Sequence, residues 1–151
     1  MTTLVVDASV AIKWVVPETG TVEALELLSR AHLRAPELLL VECANILWKK
    51  ATRSQMTAEE VGIAARLLEG AAFEVVSTRH LLGRAAELAV AIGHPAHDCL
   101  YLAVAREQGC PFVTADERLV RKLGQLPPGT FDGSAQTLSE ALRSLPPSAD
   151  A

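Results

Sequence analysis

The sequence predicts an α/β sandwich built on a mainly parallel sheet, and three observations carry that prediction. Short continuous apolar runs recur at residues 3–6, 73–77 and 111–114, the pattern of strands buried on both faces. Between them stand longer segments with apolar residues at helical spacing. Turn and capping residues mark each change, so strands and helices alternate along the chain.

Taken in order, Thr3, Leu4, Val5 and Val6 make the first strand, and a short helix over residues 9–16 is stopped by Pro17. Residues 20–33 carry Val22, Leu25, Leu28 and Ala31 on one predicted helical face, with Glu23 and Glu26 on the other side. Arg34, Ala35 and Pro36 form a brief extended segment, and residues 37–53 a long helix, apolar nearly all round and therefore expected to be buried. Thr57 and Glu60 have the spacing of a capping box, opening a helix that ends near Gly70. The strand at 73–77 leads into a helix over 78–92 stopped by Gly93. Pro95 suits the first turn of the next helix, and Gly109 its end. After the strand at 111–114 come a helix over 116–123, an edge strand at 129–132 and a last helix capped by Thr137. One domain over residues 1–145 is expected, followed by a flexible tail at 146–151.

Composition narrows the function classes. Half of the 151 residues are hydrophobic and only 4% aromatic, so the core is aliphatic and alanine-rich. Charged residues at 21% fit an ordinary globular chain and argue against disorder. A net charge of −4 offers no general attraction to polyanions, so any nucleic-acid contact depends on local basic groups. Cys43, Cys99 and Cys110 lack paired spacing and read as buried reduced thiols. No basic leader and no apolar run of spanning length is present, so a cytoplasmic protein with no membrane segment is expected.

Four carboxylates stand where apolar elements do not need them. Asp7 and Asp116 follow predicted strands, and Glu42 and Asp98 lie on apolar helices. Each has an ordinary explanation: Asp7 and Asp116 as helix N-caps, Asp98 as an acid complementing a helix dipole, Glu42 as part of a thin polar stripe with Asn45 and Lys49. The joint pattern points further. Ligands of parallel sheets gather beyond the carboxyl ends of the strands, where Asp7 and Asp116 fall. Four acids converging there need a cation, and oxygen ligands favour Mg2+ or Mn2+. Among the neighbours, His94 and His97 make a poor zinc site without a further nitrogen or sulfur ligand. His94 is expected to cap or pack, and His97 to line the site or face water.

With these residues in view, the chain resembles the PIN-domain ribonucleases, and especially the VapC toxins of toxin–antitoxin pairs. The carriers are Val6 to Ser9, Pro36 to Leu47, His97 to Ala103 and Val113 to Leu119, all in order. The resemblance implies a three-layer α/β/α sandwich in which Asp7, Glu42, Asp98 and Asp116 form the catalytic, metal-holding site. It implies metal-assisted hydrolysis of RNA with Mg2+, for which Mn2+ substitutes. Thr114, Asn45 and Ser9 are then expected to support the acids: Thr114 holding Asp116 or touching phosphate, and Asn45 fixing Glu42. Lys13 and Arg118 are candidate RNA contacts. A homodimer bound by a VapB-type antitoxin is the implied assembly.

Two phosphoaspartate classes fail at named positions. A haloacid-dehalogenase site needs a second aspartate two residues after the first, where Ser9 stands. A receiver domain places its acceptor after the third strand, and the strand ending at Ser77 offers none. A binding protein that keeps the fold and regulates without cleaving is the remaining alternative.

Overall fold

In the computed structural model, which describes residues 1–127 and 135–148, the first apolar run is strand β1 (Thr3–Val6), with Leu4, Val5 and Val6 buried. Asp7 caps a short helix α1 (Ala8–Ala11), which tightens into a 3-10 turn at Ile12–Trp14. Helix α2 (Thr21–Arg30) buries only part of the row its spacing suggested, with Leu28 packed against the core and Ala31 buried at its C-cap. Ala24, Leu27 and Ala31 face the core, while Val22 and Leu25 are exposed. The segment carries two apolar rows, and Trp14 selects between them by donating its indole N–H to the Ala24 carbonyl at 3.1 Å.

The next element corrects the sequence prediction. In place of helix continuing to 33 and a brief extended segment, His32–Pro36 is a full strand, β2. Leu33 and Ala35 are buried, and the alternate residues His32 and Arg34 both reach Glu74 of strand β3 (Phe73–Val76), at 2.9 and 3.0 Å. Pairing on both sides, with β1 and with β3, outweighs local helical preference here.

Helix α3 (Leu38–Thr52) is also less buried than expected. Only Leu39, Cys43 and Leu47 are enclosed, while Val41 and Trp48 are 65% and 59% exposed. Helix α4 (Ala58–Glu69) opens on the anticipated capping box: Glu60 N donates to Thr57 Oγ1 at 3.1 Å, and Thr57 N to Glu60 Oε1 at 3.0 Å. A 3-10 turn at Arg79–Leu81 leads into α5 (Leu82–Ile92), followed by α6 (Ala96–Gln108). Gly93 and Gly109 end these helices with φ of 64° and 63°, a left-handed conformation that glycine adopts without a Cβ penalty. Strand β4 (Phe112–Val113), helix α7 (Glu117–Gly124), strand β5 (Ala135–Gln136) and helix α8 (Leu138–Ser144) complete the fold. The strand expected at 129–132 lies outside the described residues, and β5 pairs with β4 just beyond it. Of the expected tail, 149–151 also lie outside them, and the Pro146 carbonyl accepts from Arg30 Nη2 at 2.9 Å.

The five strands are all parallel, in the order β3-β2-β1-β4-β5, at the centre of a three-layer α/β/α sandwich. Helix α6 packs across β1, β2 and β4 and carries α5 against it. The chain builds outward from β1 through β2 to β3, then returns to the other side of β1 with β4. Strand order therefore reverses between β1 and β4, and ligands of such sheets bind beyond the carboxyl ends at that reversal. Among the described residues, no single helix is long and apolar enough to cross a membrane.

Candidate active site

Val5 pairs with Phe112 and Val6 with Val113, so the next residues on each strand, Asp7 and Thr114, emerge side by side at the reversal. Thr114 Oγ1 donates to Asp7 Oδ2 at 2.6 Å. Ser9 Oγ donates to Asp7 Oδ1 at 2.5 Å, and Val10 N reaches the same oxygen at 3.3 Å. Asp7 is thus the N-cap of α1, and Ser9 clamps the acid, the supporting place expected of it. Ser9 Oγ also accepts from Ala115 N at 2.9 Å, tying the two strand ends together. Burial disfavours the charged form of Asp7, and its pKa rises to about 6 despite the three donors; the Asp98 charge adds to the rise.

Glu42 enters from α3 and is half-buried. Its partner is Tyr101 of α6, whose hydroxyl donates to Glu42 Oε1 at 2.9 Å. Tyr101 is itself fully buried and stacks on Phe112 of β4, ring centroids 5.9 Å apart. Burial, then the adjacent Glu42 charge, drives the Tyr101 pKa upward, so the phenol remains a donor. Desolvation also raises the pKa of Glu42, eased by Tyr101 and His97 and reinforced by Asp98. Asn45, the expected partner of Glu42, is exposed, and among the described residues no hydrogen bond joins the two. Tyr101 was missed, although it stands three residues after Asp98 and shares its helix face.

Asp98 lies in the first turn of α6 between two imidazoles. His94 Nε2 is 2.7 Å from Oδ2, and His97 Nε2 is 3.5 Å from Oδ1. Its charge acts on both Asp7 and Glu42, so these three acids share one electrostatic field. Asp116 stands at the edge of it. Its exposed carboxylate caps α7, accepting from Arg118 N at 3.1 Å and Leu119 N at 3.3 Å. Its own amide donates to Thr114 Oγ1 at 3.1 Å, so one hydroxyl bridges Asp116 to Asp7. Thr114 therefore positions both, a wider role than the one expected for it.

The candidate RNA contacts differ in availability. Lys13 Nζ is held by Glu18 Oε1 at 3.0 Å and the Thr19 carbonyl at 2.7 Å, at the side of a cavity of about 300 Å3 that Thr114 and Glu117 also line. Arg118 is exposed beside Asp116.

Chemically, the cluster suits a hard divalent ion. Ligand-capable atoms of Glu42, His97 and Asp98 lie within 4.8 Å of one another. Opposite ligands of an octahedral ion with bonds of about 2.1 Å stand about 4.2 Å apart. Adjacent ligands of such an ion stand about 3.0 Å apart, so the three side chains would have to draw together to share one ion. A cation there would offset the Asp98 repulsion that adds to the effect of burial on Asp7 and Glu42.

A parallel sheet between two helical layers, with acids gathered at its central reversal, defines an α/β domain with a candidate cation site. More specifically, the chain belongs to the PIN-domain family, which residues 4–124 match. Over 129 residues it is 34% identical to "Ribonuclease VapC3" of Pyrobaculum aerophilum, spanning 82% of this chain and 96% of that one. In three dimensions it is similar to the crystal structure of PAE2754, also from Pyrobaculum aerophilum. That match has a TM-score of 0.68 at 20% identity, over 94% of this chain and 88% of the other, and supports the fold alone.

Proposed function

We propose that this chain is a cation-dependent endoribonuclease, the toxin of a VapBC-type toxin–antitoxin pair, acting in the cytoplasm. The observation that carries the proposal is the shared field of Asp7, Glu42 and Asp98, two of which are held at raised pKa by burial and by the third. The likeness to a ribonuclease over most of both chains supplies the substrate class.

Asp7, Asp98, Asp116 and Glu42 would hold the ion, directly or through water. A bound Mg2+ or Mn2+ supplies positive charge against the phosphodiester and eases loss of a proton from water. The remaining work falls to the chain. Ser9, Thr114 and Val10 N prevent Asp7 from rotating. Tyr101 occupies Glu42 Oε1 and leaves Oε2 to orient the attacking water and take its proton, a task suited by the raised proton affinity of that carboxylate. Arg118 and, on release from Glu18, Lys13 meet the RNA backbone.

The test is cleavage of total RNA by the purified, partner-free chain, read by sequencing the new ends. Discrete cuts are expected with Mg2+ or Mn2+ and none in excess EDTA. Absence of cuts with either ion, in protein that binds the ion, overturns the proposal in favour of a regulatory protein of the same fold.

The assembly follows from α3. Val41 and Trp48 form an exposed apolar stripe one helix face away from Glu42, and a second copy of the chain is the occupant proposed for it. Trp48→Glu is expected to convert a dimer to a monomer in light scattering, with the far-ultraviolet circular dichroism unchanged. A VapB-type antitoxin is the proposed second partner.

A further inference from the structure

The oxygen-lined site proposed above leaves His97 without a task. Its imidazole belongs to the same group as Glu42 and Asp98, all three presenting ligand atoms within 4.8 Å. The two histidines beside Asp98 are not equivalent. His94 is 14% exposed and bonds Oδ2 at 2.7 Å, so it fixes the carboxylate and is itself occupied. His97 is 56% exposed and stands 3.5 Å from Oδ1, too far for a good hydrogen bond. One imidazole is committed to the carboxylate, and the other is loosely placed with a nitrogen within 4.8 Å of ligand oxygens of Glu42 and Asp98.

We infer that His97 supplies a nitrogen ligand to the ion held by Glu42 and Asp98, biasing the site toward Mn2+ or another first-row transition ion over Mg2+. Mg2+ favours oxygen and retains its waters, whereas imidazole binds increasingly well from Mn2+ along the transition series. A cluster of carboxylates alone discriminates less, because oxygen donors serve both ions. The competing account is that His97 only packs, since its ring also borders a small apolar hollow formed by Leu82, Ala86, Ala96 and Leu100. Packing alone predicts no influence on ion choice. The inference deepens the proposed function by naming the ion its site selects, and it depends on that reading only for the ion's use in cleavage.

The experiment measures ion binding, separately from activity. The full chain, as wild type, His97→Ala and Asp98→Asn, is titrated at pH 7.5 with Mn2+ and with Mg2+ by calorimetry. Mn2+-loaded samples are examined by pulsed electron paramagnetic resonance for nitrogen coupling. Wild type is expected to show nitrogen coupling to Mn2+. In His97→Ala that coupling disappears and Mn2+ affinity falls about tenfold or more, while Mg2+ affinity stays within about twofold. Asp98→Asn is expected to weaken both ions together. Coupling that is absent in wild type, or that survives in His97→Ala, overturns the inference, as does equal weakening of both ions by His97→Ala. Because His97 is exposed, its replacement leaves the core untouched. A chain that binds Mn2+ through His97 and cuts no RNA refutes the proposed activity and leaves this inference standing.

Discussion

Asp98→Asn is expected to reduce cation-dependent RNA cleavage by about a thousandfold or more. That factor corresponds to about 4 kcal/mol of lost stabilisation at the phosphate, a size typical of the charge an ion contributes there. The substitution keeps the shape of the side chain and replaces one anionic oxygen with an amide. His94 Nε2 donates to the remaining carbonyl as it did to Oδ2, so α6 begins as before. What disappears is the charge that both Asp7 and Glu42 experience. With three acids left to attract it, the ion binds too weakly to stay, and the proton affinities of Asp7 and Glu42 fall slightly while burial keeps both raised. Single-turnover cleavage of a defined RNA, at saturating Mn2+ and with circular dichroism on the same samples, checks the prediction. Retention of more than about a tenth of the wild-type rate in folded protein removes Asp98 from the ion site.

Much of this site was legible in the chain because its acids break local rules. Asp7 ends an apolar strand, and Glu42 interrupts an apolar helix; neither place asks for a charge on grounds of folding alone. Alternation of strands and helices placed Asp7 and Asp116 at one sheet edge, and the register across β1 and β4 then set Asp7 beside Thr114. Other features depend on partners distant in sequence. The Tyr101 bond to Glu42 spans 59 positions, so nothing local to the phenol marks it as part of the site. Strand β2 was obscured because Leu28 and Ala31 continue a helical rhythm into Leu33, and only pairing with two neighbours decides against it. The outer face of α3 shows a different limit. Val41 and Trp48 have the composition of a core, and composition does not distinguish a core from a surface that another molecule covers. Asp116 lies between these cases. Its place after β4 was clear, but its carboxylate spends its hydrogen bonds capping α7, and the link to Asp7 runs through its backbone amide.

Asp7→Asn is expected to make the ion-free fold more stable at pH 8 and no more stable at pH 4. The native carboxyl holds its proton up to about pH 6, against a reference value of 3.8 for the exposed group. Between those limits the native state binds more protons than the unfolded chain, so raising the pH draws the equilibrium toward unfolding. The penalty is absent below about pH 4 and complete above about pH 6, where a two-unit displacement is worth about 3 kcal/mol. Asparagine does not titrate and escapes it. Its carbonyl accepts from Val10 N, and its amide donates to Thr114 Oγ1, which turns its own proton toward Ser9 Oγ, 3.3 Å away. In a chain of this size the gain raises Tm by about 5 °C or more at pH 8. Thermal melts in EDTA from pH 4 to pH 8 check it, and parallel curves for the two proteins at every pH refute it. Added Mn2+ is expected to raise the wild-type Tm at pH 8 and to leave the variant unmoved, since binding stabilises only the state that holds the ion. A buried acid that weakens its own fold at neutral pH, and recovers that loss only with a cation beside it, has a chemical reason to be there beyond the capping of α1.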